Sequence, residues 1–318
     1  MMKYVLTDIS GNQYIFFSPK SVTLIREKDV PADSLDVLFI SDISDVEFAE
    51  IAVFDKSKCV FRGIVDEQLE TVSDSGFLLE INARSLAALL LDNEAMPQSC
   101  CLPNMQLFME RNFSRLGFKE YIGNDCPKSG SMSITKGTSE WTVLEQYCRK
   151  FLGTYPRVNE DGIIDISGGS GETAVLTNEG ENKIISLSRI KKRCELISEY
   201  RVRTLRGKGY EMLIRNENAE RLRVNSVRYL NAVDNKNVGL ASCYKNIEEL
   251  NRLYETIRLT VSGRVLMNIG DCLILPEYKS DKLKVSKIRY ELDGGKERTY
   301  IEAYSDYKAG GLSVNVDS

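Results

Sequence analysis

Residues 35–40 LDVLFI, 48–54 FAEIAVF, 60–67 VFRGIVDE and 77–85 FLLEINARS are answered, in the same order, by 257–261 IRLTV, 269–275 IGDCLIL, 284–291 KVSKIRYE and 299–305 TYIEAYS. Apolar and polar side chains alternate along these segments, the period of a strand with one face on a core. DKSK at 55–58, SDSG at 73–76 and Gly294–Gly295 supply the turns between them. Four strands recurring in one order predict a duplicated antiparallel β unit. Ile64 and Ala83 of the first copy are matched by Ile288 and Ala303 of the second, and differences in length fall in hairpins, where insertions are tolerated. Each copy is expected to form a closed sheet of its own.

Upstream of the first copy, Tyr4 to Asp8 and Tyr14 to Phe17 add short strands around a turn at Gly11. Between the copies the period changes. Ser85 is placed to cap a helix through Leu86, Leu89 and Leu90, and Met105, Phe108, Met109 and Phe113 recur at helical spacing before Gly117. A third helix starts at Thr138 or Ser139, carries Trp141, Leu144, Tyr147, Cys148 and Phe151 on one stripe, and stops at Gly153. A hairpin with Asp161 and Gly162 in its turn follows, then a boundary rich in Gly, Ser, Thr and Asn at 167–182 that lacks the GxxxxGK[ST] phosphate-loop pattern. The expected fold is α+β and predominantly β. Two antiparallel β-barrel domains, 1–85 and 183–308, flank an α/β domain inserted at 86–182, with a short helix near Asn246 to Leu253 and a tail at 309–318.

Composition narrows the function. The chain of 318 residues contains no histidine, which removes the usual general base of Ser-His-Asp and Cys-His machinery and one partner of a mixed zinc site. Its eight cysteines include no CxxC pair, as expected for free thiols; the vicinal Cys100 and Cys101 sit beside Pro103 in a predicted loop. No catalytic, cofactor-binding or metal-binding residues are assigned. Trp141 reads as core. Acidic pairs such as Asp42 with Asp45 and Glu248 with Glu249 read as solvated carboxylates rather than a glycosidase pair. The N-terminus has no basic stretch followed by an apolar run, and the apolar run at 86–91 is far below the roughly 20 residues needed to span a bilayer.

Net charge is only -4, which argues against a protein whose main task is to wrap nucleic acid. The charge is unevenly placed, however. Residues 1–80 carry seven Lys/Arg against fifteen Asp/Glu, whereas 189–228 carry twelve against five. Within the basic stretch, Arg201 and Arg203, and likewise Arg221 and Arg223, are spaced to share one face of a strand.

Three stretches, 80–95 EINARSLAALLLDNEA, 139–166 SEWTVLEQYCRKFLGTYPRVNEDGIIDI and 262–304 SGRVLMNIGDCLILPEYKSDKLKVSKIRYELDGGKERTYIEAY, carry a resemblance. Together with the order β region, α/β insert, β region, over about residues 30 to 305, the chain resembles the baseplate hub proteins of contractile injection systems. That group includes the late control protein D type, Mu-like phage hubs and the hub portion of type VI secretion spike proteins. The resemblance implies a non-enzymatic homotrimer in which each subunit contributes two tube-like barrels. Six similar units would then face a sixfold tail tube, with a separate central spike protein and other baseplate proteins as further partners. It implies neither cofactor, specific nucleic-acid binding nor stable membrane association, and a place in the baseplate of a virion or phage-tail-like particle assembled in the bacterial cytoplasm. On that reading the basic stretch with Arg201, Arg203, Arg221 and Arg223 is expected to meet the acidic first domain of a neighbouring subunit. The competing readings are a tail-associated peptidoglycan hydrolase and a glycan- or receptor-binding tail module.

Overall fold

The computed structural model describes residues 2–316 except 75, 126–129, 169–170, 181, 205–208, 234–245, 248, 279 and 306–311. Seven strands build the first β unit: β1 (Met2–Asp8), β2 (Gln13–Phe17), β3 (Ser21–Glu27), β4 (Val30–Ile40), β5 (Phe48–Asp55), β6 (Lys58–Ser73) and β7 (Gly76–Ser85). They lie antiparallel in the order β3-β4-β7-β6-β5-β1-β2. Alternation does the sorting: Tyr4 and Leu6 of β1, Val22 and Leu24 of β3, and Leu35, Val37 and Phe39 of β4 all enter one core. The sheet curls around that core strongly enough to bring Phe39 within 4.7 Å of Phe16 and 5.3 Å of Tyr4, centroid to centroid, although their strands are far apart in the sheet order.

The insert packs α1 (Ala88–Asp92), β8 (Gln98–Cys101), α2 (Met105–Phe108) with a π turn over Met109–Phe113, β9 (Tyr121–Ile122), β10 (Ser131–Ile134), α3 (Glu140–Tyr147), β11 (Arg157–Val158) and β12 (Ile164–Asp165) around its own core. Trp141 belongs to that core, and Ser139 caps α3 by accepting a hydrogen bond from the Thr142 amide at 3.2 Å. Ser85 does not cap a helix. Its hydroxyl accepts from the Asp33 amide at 3.0 Å and ties the end of β7 to β4, and α1 begins only at Ala88. Cys100 and Cys101 lie on β8 rather than in a loop, so alternation buries the first and exposes the second.

Beyond the insert come β13 (Thr173–Val175) and β14 (Ile184–Lys191), then β15 (Glu199–Thr204), β16 (Met212–Asn216), α4 (Glu217–Arg221) and β17 (Val227–Val233). They are followed by β18 (Glu255–Ser262), β19 (Cys272–Leu275), β20 (Ser280–Asp293), β21 (Lys296–Ser305) and β22 (Leu312–Val316). The span 183–308 feeds two sheets. Strands β15, β16, β17 and β22 form a separate four-stranded sheet whose core holds Tyr200, Val202, Met212, Ile214 and Ile247. The remaining strands make the second β unit around Ile257, Leu259, Leu273, Val285, Ile301 and Ala303.

The duplication read from the sequence is a topological one. The first unit contains the order β3-β4-β7-β6-β5-β1 and the second β14-β18-β21-β20-β19-β13. Registers agree as well: Ala83 faces Leu35 and Val65, and Ala303 faces Ile257 and Val285. Each copy breaks its register at the same place, between Val65 and Glu67 and between Val285 and Lys287, a bulge kept in both. Counting from these anchors, Ala83 does correspond to Ala303, but Ile288 corresponds to Gln68 and not to Ile64. Both isoleucines are apolar on long strands, and only the ladder distinguishes their positions. The sixth strands differ in direction, since β1 runs antiparallel to β5 and β13 runs parallel to β19.

The α+β, mainly β architecture is the one the sequence predicts. Closure differs from expectation. The two units are not separate closed sheets, because β3 pairs antiparallel with residues 287–293 of β20 and fuses them into one 13-stranded sheet. Strand β20 is long enough to serve two neighbours, pairing β19 with its first residues and β3 with its last.

Candidate assembly interface

At the junction, Val22, Leu24 and Arg26 occupy the inward phase of β3. Opposite them stand Leu292, Tyr290 and Ile288. Tyr290 lies in the core of the first unit although it belongs to a strand of the second, and full burial of such a side chain contributes roughly 1.5–3 kcal/mol. On the outward phase Lys287 pairs with Glu27. Arg264 of the second unit reaches Asp55 of the first at 2.9 Å.

Arg26 is 3% exposed and joins three parts of the molecule. Its Nη1 donates to the Met267 carbonyl at 2.9 Å and to Asn268 Oδ1 at 2.6 Å, both in the second unit. Its Nη2 donates to the Val60 carbonyl of the first unit and, at 3.1 Å, to Glu160 in the insert. Its Nε lies 3.2 Å from the Asp33 carboxylate. Burial pushes the Asp33 carboxyl above the ordinary carboxylate range, and the Arg26 guanidinium pulls it part of the way back. A guanidinium serves here because its planar fork reaches several acceptors at once.

The repeat assigns each half of this junction a counterpart. Strand β14 corresponds to β3, and residues 67–72 of β6 correspond to 287–292 of β20. Among the described residues, neither counterpart has a strand partner on the matching edge: β14 ends the sheet, and the β5–β6 ladder stops at Glu50 and Ile64. Leu69 and Val72 stand 50% and 82% exposed there. Beside them, between β6 and the start of β5, opens a cavity of about 570 Å³ whose lining includes Asp45, Glu47, Asp66, Glu67 and Glu70. Gln68 braces it by accepting from the Phe48 amide at 3.0 Å and donating to the Val46 carbonyl at 2.7 Å.

The arginines singled out in the sequence lie on the small four-stranded sheet or on the segment that links two of its strands. Arg201 and Arg203 share one exposed face of β15, and Arg201 pairs with Glu199 on the same strand. Arg221 and Arg223 do not share a strand face. Arg221 ends α4, and Arg223 follows in a turn at φ 54, with its carbonyl and that of Leu222 accepting from Arg193. Asp45 lies in the loop before β5, and Glu249 accepts from the Tyr155 hydroxyl at 2.7 Å; Glu248 falls outside the described residues. Arg26 escaped sequence reading. Its signal was an arginine on the apolar phase of an otherwise alternating strand, SVTLIRE.

No helix among the described residues is long and apolar enough to cross a membrane. No family model and no curated protein matches the chain. Solved structures do. A tail protein from Neisseria meningitidis superposes with a TM-score of 0.74 at 17% identity, covering 96% of each chain. The 43 kDa tail protein of prophage MuSo2 from Shewanella oneidensis gives 0.77 at 14% identity, covering 95% of this chain and 98% of that one. A type VI secretion component of E. coli, described as structurally similar to the bacteriophage T4 tail proteins gp27 and gp5, gives 0.58 at 9% identity over 92% and 75%. The chain therefore has the fold of phage tail proteins and of a type VI secretion component, and the resemblance read from the sequence is present in three dimensions.

Proposed function

We propose that the protein is a baseplate hub subunit: a non-enzymatic structural component of a contractile tail or tail-like particle that assembles as a trimeric ring between the tail tube and a separate spike. One observation carries this reading. A single chain holds two β units of the same strand order and register, fused edge to edge, so three chains supply six related units to a sixfold neighbour while retaining threefold symmetry toward the spike. The named relatives in fold, tail proteins and a type VI secretion component, support the same role.

The test is co-purification. Tagged protein expressed with the tube and spike proteins of its own particle should retain both, and electron microscopy of the product should show one ring of this chain between them. Retention of neither, together with clearing of a peptidoglycan zymogram by the purified protein, would overturn the hub reading in favour of a wall hydrolase.

A further inference from the structure

We propose that β14 of one copy adds as a strand to the free end of β6 in the next copy, so that the contact between chains repeats the β3–β20 junction within each chain. The inference rests on the ring reading above and specifies its contact. It follows from carrying the register of the internal junction onto the repeat. Within the chain, Tyr290 faces Leu24, Leu292 faces Val22, Arg289 faces Ile25 and Lys287 faces Glu27. The shared ladders equate 287–292 with 67–72 and place β14 on β3, with Leu187 at the position of Val22 and Arg189 at that of Leu24. Among the predicted contacts between copies are then Glu70 with Arg189, Val72 with Leu187, Leu69 with Ile190 and Glu67 with Lys192, with Gln68 opposite Lys191 and Thr71 opposite Ser188.

Nothing in the construction of this register required those pairs to match. Two are apolar against apolar, two are acid against base, and the pairs of Gln68 and Thr71 are polar. The Glu67–Lys192 pair even restates the internal Glu27–Lys287 pair with its charges exchanged. Arg189 already lies 3.4 Å from Glu255 on its own sheet, so Glu70 would add a second carboxylate to an oriented guanidinium. Among the described residues both partners present unpaired strand edges, and Val72 and Leu69 are the apolar side chains that strand addition would cover.

A second observation points to the same occupant. Arg26 enters a site built partly by the Met267 and Asn268 loop just before β19. The residue corresponding to Arg26 is Lys191, and the loop corresponding to 267–268 is 45–46, just before β5. That loop borders the acidic cavity of about 570 Å³. A neighbour's Lys191 would therefore be delivered to a cavity lined by five carboxylates, as Arg26 is delivered to its own site. The sequence expectation that a basic stretch meets the acidic first unit is kept in kind, but the cations are Arg189, Lys191 and Lys192 rather than Arg201, Arg203, Arg221 and Arg223.

The experiment is a charge swap read by sedimentation velocity over a concentration series at low and high salt. The wild type should self-associate reversibly into trimers. Glu70→Arg and Arg189→Glu should each weaken association by at least about tenfold, the scale of a lost central contact pair, and the double variant should recover most of it. Val72→Asp, at the pair next to the charge pair along the same strand face, should weaken association similarly while leaving the circular dichroism of the monomer unchanged. Paired cysteines at 69 and 190 should cross-link copies on oxidation, whereas cysteines at 69 and 187, on opposite faces, should not exceed the background set by the native thiols. Trimers unaffected by all three charge and apolar substitutions, or a wild type that stays monomeric throughout, would overturn the strand pairing. The hub reading is tested separately, since retention of tube and spike by the wild type would stand even if these variants retained full association.

Discussion

The last residues of β6 and the last residues of β20 hold the same place in two related sheets, and their surroundings are opposite. In β20 this stretch is covered by β3, and its Tyr290 is buried in the neighbouring core. In β6 the corresponding Glu70 and Val72 are exposed, and Glu70 helps to line an acidic cavity. Sequence has followed the surroundings: the covered copy carries Ile288, Tyr290 and Leu292 on its inward phase, and the open copy carries Gln68, Glu70 and Val72. A duplicated unit can thus keep one ladder geometry and assign it two tasks. The internal joint takes large apolar side chains, while its open counterpart, which we propose receives the next copy, carries charged ones.

Substitutions at matched positions probe this contrast. The largest effect is expected at Arg26. Arg26→Ala leaves Asp33 and Glu160 without their buried cation and should lower stability by roughly 3 to 5 kcal/mol, measured by urea denaturation of the dilute protein. Its counterpart, Lys191→Ala, should change the monomer by no more than about 0.5 kcal/mol. Equal losses at the two positions would abolish the distinction between a filled and an open joint. Tyr290→Ala should come next, at about 3 kcal/mol for a large buried aromatic ring, against a near-neutral Glu70→Ala in the same assay.

Gly63 offers a finer test. A Cβ there would lie 2.0 Å from the Arg84 carbonyl oxygen, whereas the matched position in the second unit holds Leu283. Gly63→Ala should cost roughly 1 to 3 kcal/mol of strain. The smallest effect concerns protons. The folded state holds the Asp33 carboxyl above its unfolded value, so it binds a proton more tightly when folded, and stability falls as pH rises through the window just above the ordinary carboxylate range. Asp33→Asn should remove that decline. A pH–stability curve with the same slope in both proteins would show that Asp33 is not the titrating group.

The strand content and the repeat were legible because alternation survives in both copies, and the α3 cap was legible as Thr138 or Ser139 because cap chemistry is local. What escaped depended on distant neighbours. Ile64 and Ile288 look equivalent in a list of apolar residues, and only the ladders through Ala83 and Ala303 show the offset. The four-stranded sheet was hidden because β22 joins β16 across nearly 100 residues of chain, a separation local patterns do not report. Ser85 had the right residue type for a cap, but its hydroxyl was taken by the Asp33 amide. For the proposed interface, the charge asymmetry read from the sequence points to the same acidic unit. The cations that the proposal uses sit on β14, whose edge position appears only once the strands are ordered.

The fusion of β3 to β20 also dictates when the molecule can mature. A nascent chain lays down Val22 and Leu24 early, yet the strand that shelters them is not available until residue 293 has left the ribosome. Throughout that interval the first unit waits with one flank bare and its core lacking the Tyr290 ring, a period in which a chaperone or a second nascent copy has access to it. Final consolidation of the first unit is therefore deferred until the distant strand β20 has been made.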